Sequence, residues 1–177
     1  MRATIVYESM FGDGKLVAEA VAKGLSDSGL DVELLEVGVA PSEIAESTAL
    51  LVVGGPNHAL GLSRESSRAD AAESAPDGII SDNGGIRDWL GELAEGSAQV
   101  QVATWDTRLE HPRLLTKMDH AAGTIRRKLH SLGYGPCLGE EHFFVQDKAG
   151  PLVSGEAERA HGWGQQLASA LAGPPKS

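Results

Sequence analysis

Cysteine is nearly absent: Cys137 is the only one in 177 residues. A lone thiol forms no intrachain disulfide, no CxxC redox pair and no cysteine-based zinc cluster. Aromatic residues are scarce, at 5%. The six histidines never fall at His-x-x-x-His spacing or in an HExxH motif, which removes the familiar metallohydrolase pattern. No GxSxG elbow is present, and Cys137 has no base placed with it. Long apolar runs are missing as well. The N-terminal run is only Ala3 to Tyr7 before Glu8 intervenes. It does not read as a signal peptide, and nothing approaches a membrane span. A reducing cytoplasm is the expected home.

Basic charge is thin in the first half. Residues 1–99 carry 6 Lys/Arg against 17 Asp/Glu, a net −11, while residues 100–177 carry 9 against 8, a net +1. Such an acidic half argues against a nucleic-acid groove or an anionic membrane surface and suits a partner with a basic face. It also serves solubility alone.

What is present is ordinary for a globular chain: 41% hydrophobic and 23% charged residues, enough to bury a core without staples. One domain over residues 1–173 is expected, with 174–177 a frayed tail. Apolar runs alternate with helical periods, the pattern of βα units on a parallel sheet. Strands are expected at Ala3–Tyr7, Val32–Val37, Ala49–Val53, Val100–Trp105 and His142–Val145. Gly54-Gly55-Pro56 is expected to end the third. Helices are expected from Lys15 to Ser28, along Leu115–Met118–Ala122–Ile125–Leu129–Leu132, and along Ala160–Trp163–Leu167–Leu171 with Ser154 as N-cap. A helix or turn is expected over Pro41–Glu46, a solvated helix over Arg64–Glu73, and a short amphipathic helix at Ile86–Leu93. A five-stranded doubly wound sheet binds ligands where its strand order reverses, beside strands 1 and 3. The loops after Tyr7, Val53 and Trp105 are therefore expected to face one another.

The first of these loops, Glu8-Ser9-Met10-Phe11-Gly12-Asp13-Gly14-Lys15, opens the first helix. Backbone N–H groups at a helix N-terminus favour an anion, phosphate above all. Ser9 adds a hydroxyl and Lys15 a charge. A Walker P-loop does not fit, because Leu16 follows Lys15 where Ser or Thr is required. Gly12-x-Gly14-x-x-Val17 with Glu36 partly meets the dinucleotide pattern, although Val17 replaces its third glycine. A mononucleotide phosphate loop and a plain tight turn are the other readings.

Tyr7–Asp13 resembles the start of flavodoxin-like domains, in which a hydroxyl-rich loop holds the phosphate of FMN. Val52-Val53-Gly54-Gly55-Pro56-Asn57-His58 is similar to the family's second loop, which sets a ring against the flavin. Ala103-Thr104-Trp105-Asp106-Thr107-Arg108 is similar to its third. The resemblance runs through the chain in order. It implies a three-layer α/β sandwich with a five-stranded parallel sheet in order 2-1-3-4-5. It further implies FMN held by Ser9, Met10, Phe11, Gly12, Asp13, Gly14 and Lys15 at the phosphate, and by Pro56, Asn57, His58, Gly61, Thr104, Trp105, Asp106, Thr107 and Arg108 around the ring. Gly61 would allow a peptide flip toward the flavin, and backbone N–H groups of Asp106 and Thr107 would face its polar edge.

The sequence departs from the family at Phe11 and Gly14, where hydroxyl residues are usual, and at His58, where many relatives carry tryptophan. Asp13 puts a carboxylate near the phosphate position. On this reading Gly14→Thr restores a hydroxyl and tightens FMN binding. The resemblance implies electron transfer with a redox protein partner and no catalytic side chain. A cofactor-free interaction domain and an NAD(P)H-dependent flavin or quinone oxidoreductase are the alternatives.

Overall fold

The computed structural model describes residues 1–58, 61–110 and 120–173. Five parallel strands form one sheet in the order β2-β1-β3-β4-β5, as the resemblance implies. They are β1 (Arg2–Tyr7), β2 (Asp31–Glu36), β3 (Thr48–Pro56), β4 (Gln101–Leu109) and β5 (Cys137–Val145). The helices are α1 (Asp13–Asp27), α2 (Glu65–Glu73), α3 (Ile86–Glu92), α4 (Ala121–Ser131) and α5 (Glu156–Ala172).

Alternation along the inner strands builds two cores, because successive side chains of a strand point to opposite faces. On one face Ile5, Val52, Trp105 and Phe143 meet Val17, Val21 and Leu25 of α1 and Trp163 and Leu167 of α5. On the other, Val6, Leu51, Val53 and Val102 meet Ile86, Trp89 and Leu90 of α3 and Ile125 and Leu129 of α4. Helices on both faces bury β1, β3 and β4 from either side, which is why these strands read as continuous apolar runs.

Several expected boundaries move. Gly54, Gly55 and Pro56 do not break β3; they pair with Trp105, Asp106 and Thr107 of β4. Neighbouring strands on both sides hold the glycines in the sheet, and Gly54 admits the Trp105 ring. A Cβ at Gly54 would stand 2.1 Å from that ring. β4 likewise runs past Trp105 to Leu109, and β5 starts at Cys137 rather than His142. Over Pro41–Glu46 no helix forms and only a turn closes at its end, Thr48 N–H donating to Ala45 O at 2.9 Å; a single helical turn lies earlier, at Val37–Val39, capped by the Glu36 side chain. The N-cap of α5 is Gly155, at φ 89°, not Ser154; the left-handed conformation there suits glycine. Leu115 and Met118 of the expected fourth helix, Leu60 and the tail 174–177 lie outside the described residues.

Candidate functional site

The strand order reverses between β1 and β3, so the loop after Tyr7 opens at the switch point. Glu8 N–H extends the pairing by donating to the Gly54 carbonyl at 3.0 Å. The chain then lies against Ile80 and Ser81: Ile80 N–H donates to Met10 O at 3.0 Å and Ser81 N–H to Ser9 O at 2.9 Å. Ser9 N–H donates back to Ser81 Oγ at 3.0 Å. Gly12, at φ 111°, caps α1 without a side-chain bond, and its N–H donates to Ser9 Oγ at 3.1 Å. The backbone N–H groups of Met10, Phe11, Gly14 and Lys15 have no acceptor among the described residues. These are the donors that an anion at a helix N-terminus uses.

Two features of this loop were not legible beforehand. Gly14 is not a position awaiting a hydroxyl. A Cβ there would stand 2.7 Å from the Glu8 backbone oxygen and 3.3 Å from Ser9 Cβ. Helix α1 therefore starts too close to the end of β1 for a side chain, and the expectation that Gly14→Thr tightens phosphate binding is withdrawn. Asp13 turns toward the turn between β5 and α5. Its carboxylate packs on Gly150, so that a Cβ built there would stand 2.3 Å from it. Burial pushes its pKa up, with the nearby backbone of Leu152 and of Asp13 itself opposing the rise. Phe11 is half-buried and Lys15 exposed, the latter 3.9 Å from Glu19.

Glu8 is a component the sequence reading missed. Its carboxylate is fully buried. It accepts from Ser63 Oγ and, at 2.8 Å, from Ile86 N–H at the start of α3. Arg68 stands close by, donating to Ser63 Oγ at 3.2 Å and to Asp88 at 2.8 Å. Burial raises the Glu8 pKa, while Ser63, Ile86 N–H and Arg68 oppose the rise. A carboxylate directly after a buried strand was the one available signal; its partners lie 55 or more residues on in sequence.

The second loop starts after Pro56. Asn57 N–H donates to Thr107 O at 2.9 Å, and Asn57 Oδ1 accepts from Ala121 N–H at 3.3 Å, tying this loop to the start of α4. His58 and Gly61 exchange hydrogen bonds of 2.8 and 2.7 Å. The Gly61 N–H is therefore engaged by His58 O instead of being free to meet a flavin. His58 Nε2 is buried without a partner among the described residues. Burial, then the charge of Arg68, hold its pKa below the usual histidine value and keep the ring neutral.

The residues expected in the third loop lie in strand β4. Thr104 and Trp105 are wholly buried, and the Trp105 ring packs edge-on to Phe143, 6.2 Å between centroids. It presents no face to a ligand. Asp106 and Arg108 point to the α4 side of the sheet. Arg108 donates to both Asp106 oxygens at 2.8 Å, His142 Nδ1 lies 3.1 Å from Oδ1, and Ala122 N–H of α4 donates to Oδ2 at 3.1 Å. Burial alone would raise the Asp106 pKa; the His142 hydrogen bond and the Arg108 charge prevail and lower it. Asp106 and Thr107 pair with β3 and β5, and residues 111–119 beyond β4 lie outside the described residues.

Two other places bear on the alternatives. Glu36 Oε2 accepts from Gly38 N–H at 2.8 Å, so the acid of the dinucleotide pattern is already engaged. A cleft of about 360 Å³ opens at the opposite end of the sheet beside Arg2, Glu33, Glu43 and Glu46. There Arg2 and Glu33 pair at 2.8 Å, and no groups converge for chemistry. Among the described residues no cluster of His, Cys, Asp or Glu is arranged to hold a metal, and no helix is long and apolar enough to cross a membrane.

A five-stranded doubly wound sheet with a tight loop and helix N-terminus at its switch point, beside β1 and β3, defines the class: an α/β protein of the doubly wound kind. No protein-family model matches the sequence, and no curated protein does. Solved structures do match. A flavodoxin from the domain Archaea superposes with a TM-score of 0.61 at 13% identity, over 97% of this chain and 99% of that one. A flavodoxin of Streptococcus pneumoniae TIGR4 gives 0.65 at 17%, over 96% and 99%. The Flv1 flavodiiron core of Synechocystis gives 0.60 at 16%, over 97% of this chain but 36% of that one. The chain has the flavodoxin-like fold.

Proposed function

We propose that the chain binds FMN at the switch point and serves as an electron carrier. The observation that carries this reading is the set of backbone N–H groups at Met10, Phe11, Gly14 and Lys15 without acceptors among the described residues, on a fold shared with flavodoxins. Those amides would hold the phosphate. Pro56, Asn57 and the neutral His58 ring would border the flavin. A bound flavin supplies the one- or two-electron chemistry, and the protein supplies binding and field. The acidic N-terminal half fits a redox protein partner with a basic face.

Purified protein mixed with FMN tests this. Micromolar or tighter binding, read from quenching of flavin fluorescence, is expected, and Gly12→Val is expected to abolish it. Its φ of 111° is closed to a β-branched residue. Colourless protein that leaves FMN fluorescence untouched refutes the proposal. One observation favours the second reading, a cofactor-free interaction domain: the first residue of α1 is an acid, Asp13, next to the free amides.

A further inference from the structure

Among the described residues β2 and β5 form the two edges of the sheet. A free edge offers its unpaired N–H and C=O groups as a template for another strand. β2 is short, six residues, and carries Asp31, Glu33 and Glu36, charges that discourage such pairing. β5 is nine residues long and turns apolar at its end, Phe143-Phe144-Val145. Its bonds to one parallel neighbour use the backbone groups of alternate residues, which leaves a row of donors and acceptors facing outward.

That row is filled from within the chain. His142 N–H donates to Glu141 Oε1 at 3.0 Å, and His142 O accepts from Arg159 Nη2. Phe144 N–H donates to Glu156 Oε2 at 2.7 Å, and Phe144 O accepts from Val153 N–H at 2.9 Å. Gln146 N–H donates to Pro151 O at 2.9 Å, where the chain folds back in an antiparallel bridge between Val145 and Leu152.

We infer that Glu156 and Arg159 of α5 guard the β5 edge, closing it to strand addition by a second copy of this chain. Neither is a loose surface charge. Arg159 donates from Nε and Nη2 to Glu156 at 2.9 and 2.7 Å and lies 3.0 Å from Glu141 through Nη1. Its guanidinium stands 4.5 Å over the Phe143 ring. Glu156 is 8% exposed. Burial raises its pKa, but Arg159 and Phe144 N–H prevail and lower it, so the acceptor is ionised at neutral pH. A second copy is the occupant that matches the edge. In an antiparallel pair about a two-fold axis, the outward groups of His142 and Phe144 in one chain would meet those of Phe144 and His142 in the other.

Sedimentation velocity over a concentration series tests this with wild type, Arg159→Ala, and Glu156→Ala combined with Arg159→Ala, in about 0.15 M salt. The double variant loses one charge of each sign, so its net charge stays at −10 and cannot explain a change in association. Its self-association is expected to be about tenfold or more stronger than that of wild type, with Arg159→Ala in between. Amide hydrogen exchange gives the place. In the dilute double variant Phe144 N–H should exchange faster than in wild type, then regain protection as the dimer forms. The same association is expected with and without FMN. Near-UV circular dichroism checks that each variant is folded. Should the double variant fail to fold, Arg159→Ala, which leaves Glu156 on Phe144 N–H, carries the test. Folded variants that associate no more than wild type, or that associate without added protection along residues 141–146, overturn the inference.

Discussion

Replacing Asp106 by alanine should cost far more stability than any surface acid in this chain. The carboxylate has no exposed surface and Arg108 is 9% exposed. Both Asp106 oxygens accept from the guanidinium, with His142 and Ala122 N–H completing the shell. Removing one partner of a buried pair leaves an uncompensated charge, which costs about 3–5 kcal/mol. The same substitution strips a tertiary N-terminal acceptor from α4, whose own cap residue His120 makes no side-chain cap bond. For a domain of this size that loss lowers the melting temperature by about 6–20 °C. Removing both charges, in Asp106→Leu with Arg108→Met, should recover most of it, to within about 2 kcal/mol of wild type. Because the folded pKa of Asp106 lies below its unfolded value, its stabilisation is complete above the ordinary aspartate range and is lost as pH falls through the folded pKa. Chemical denaturation of wild type, Asp106→Ala, Asp106→Leu, Arg108→Met and the double variant at about pH 7, and of wild type and Asp106→Ala down to about pH 3, measures this. A single-variant cost under about 1 kcal/mol, or a double variant as damaged as the sum of its parts, would refute the coupled-pair argument.

Other outcomes are expected from the same structure. Gly14→Ala should destabilise the fold by about 1–3 kcal/mol, because backbone at the end of β1 must shift to clear a Cβ 2.7 Å from the Glu8 oxygen; a thermal melt equal to wild type would mean that the start of α1 has slack. For Glu8 the sign is opposite to that of Asp106. Its folded pKa is raised by burial, so its stabilisation is present below the ordinary glutamate value and lost as pH rises through the folded pKa. Wild type should therefore lose ground to Glu8→Gln from acid to neutral pH. Denaturation midpoints that run parallel across that interval would show the Glu8 charge to be fully compensated by Arg68 and its hydrogen bonds.

The alternation of apolar and polar residues by itself determined the five strands and the class of sheet, because burial on both faces forces continuous runs such as Leu50–Val53 and a crossover forces a helical period between them. It also located the turn that opens α1 after β1, since Gly12 follows a buried strand and precedes a helical period. Strand ends were beyond it. Gly54-Gly55-Pro56 and Asp106-Thr107-Arg108 read locally as turn and loop, yet lateral pairing and a tryptophan laid across Gly54 keep both in the sheet. The expected ring-side set was therefore only partly assembled, with Trp105 turned inward and Asp106 and Arg108 satisfying each other. Which charges meet across long separations was decided only in three dimensions. Glu8 reaching Ser63 and Ile86, and Asp13 reaching Gly150, depend on how packed helices and loops converge at one end of the sheet. Sequence spacing encodes which face a side chain takes on its own element. Which distant backbone donor will be waiting there is set by the packing of the whole.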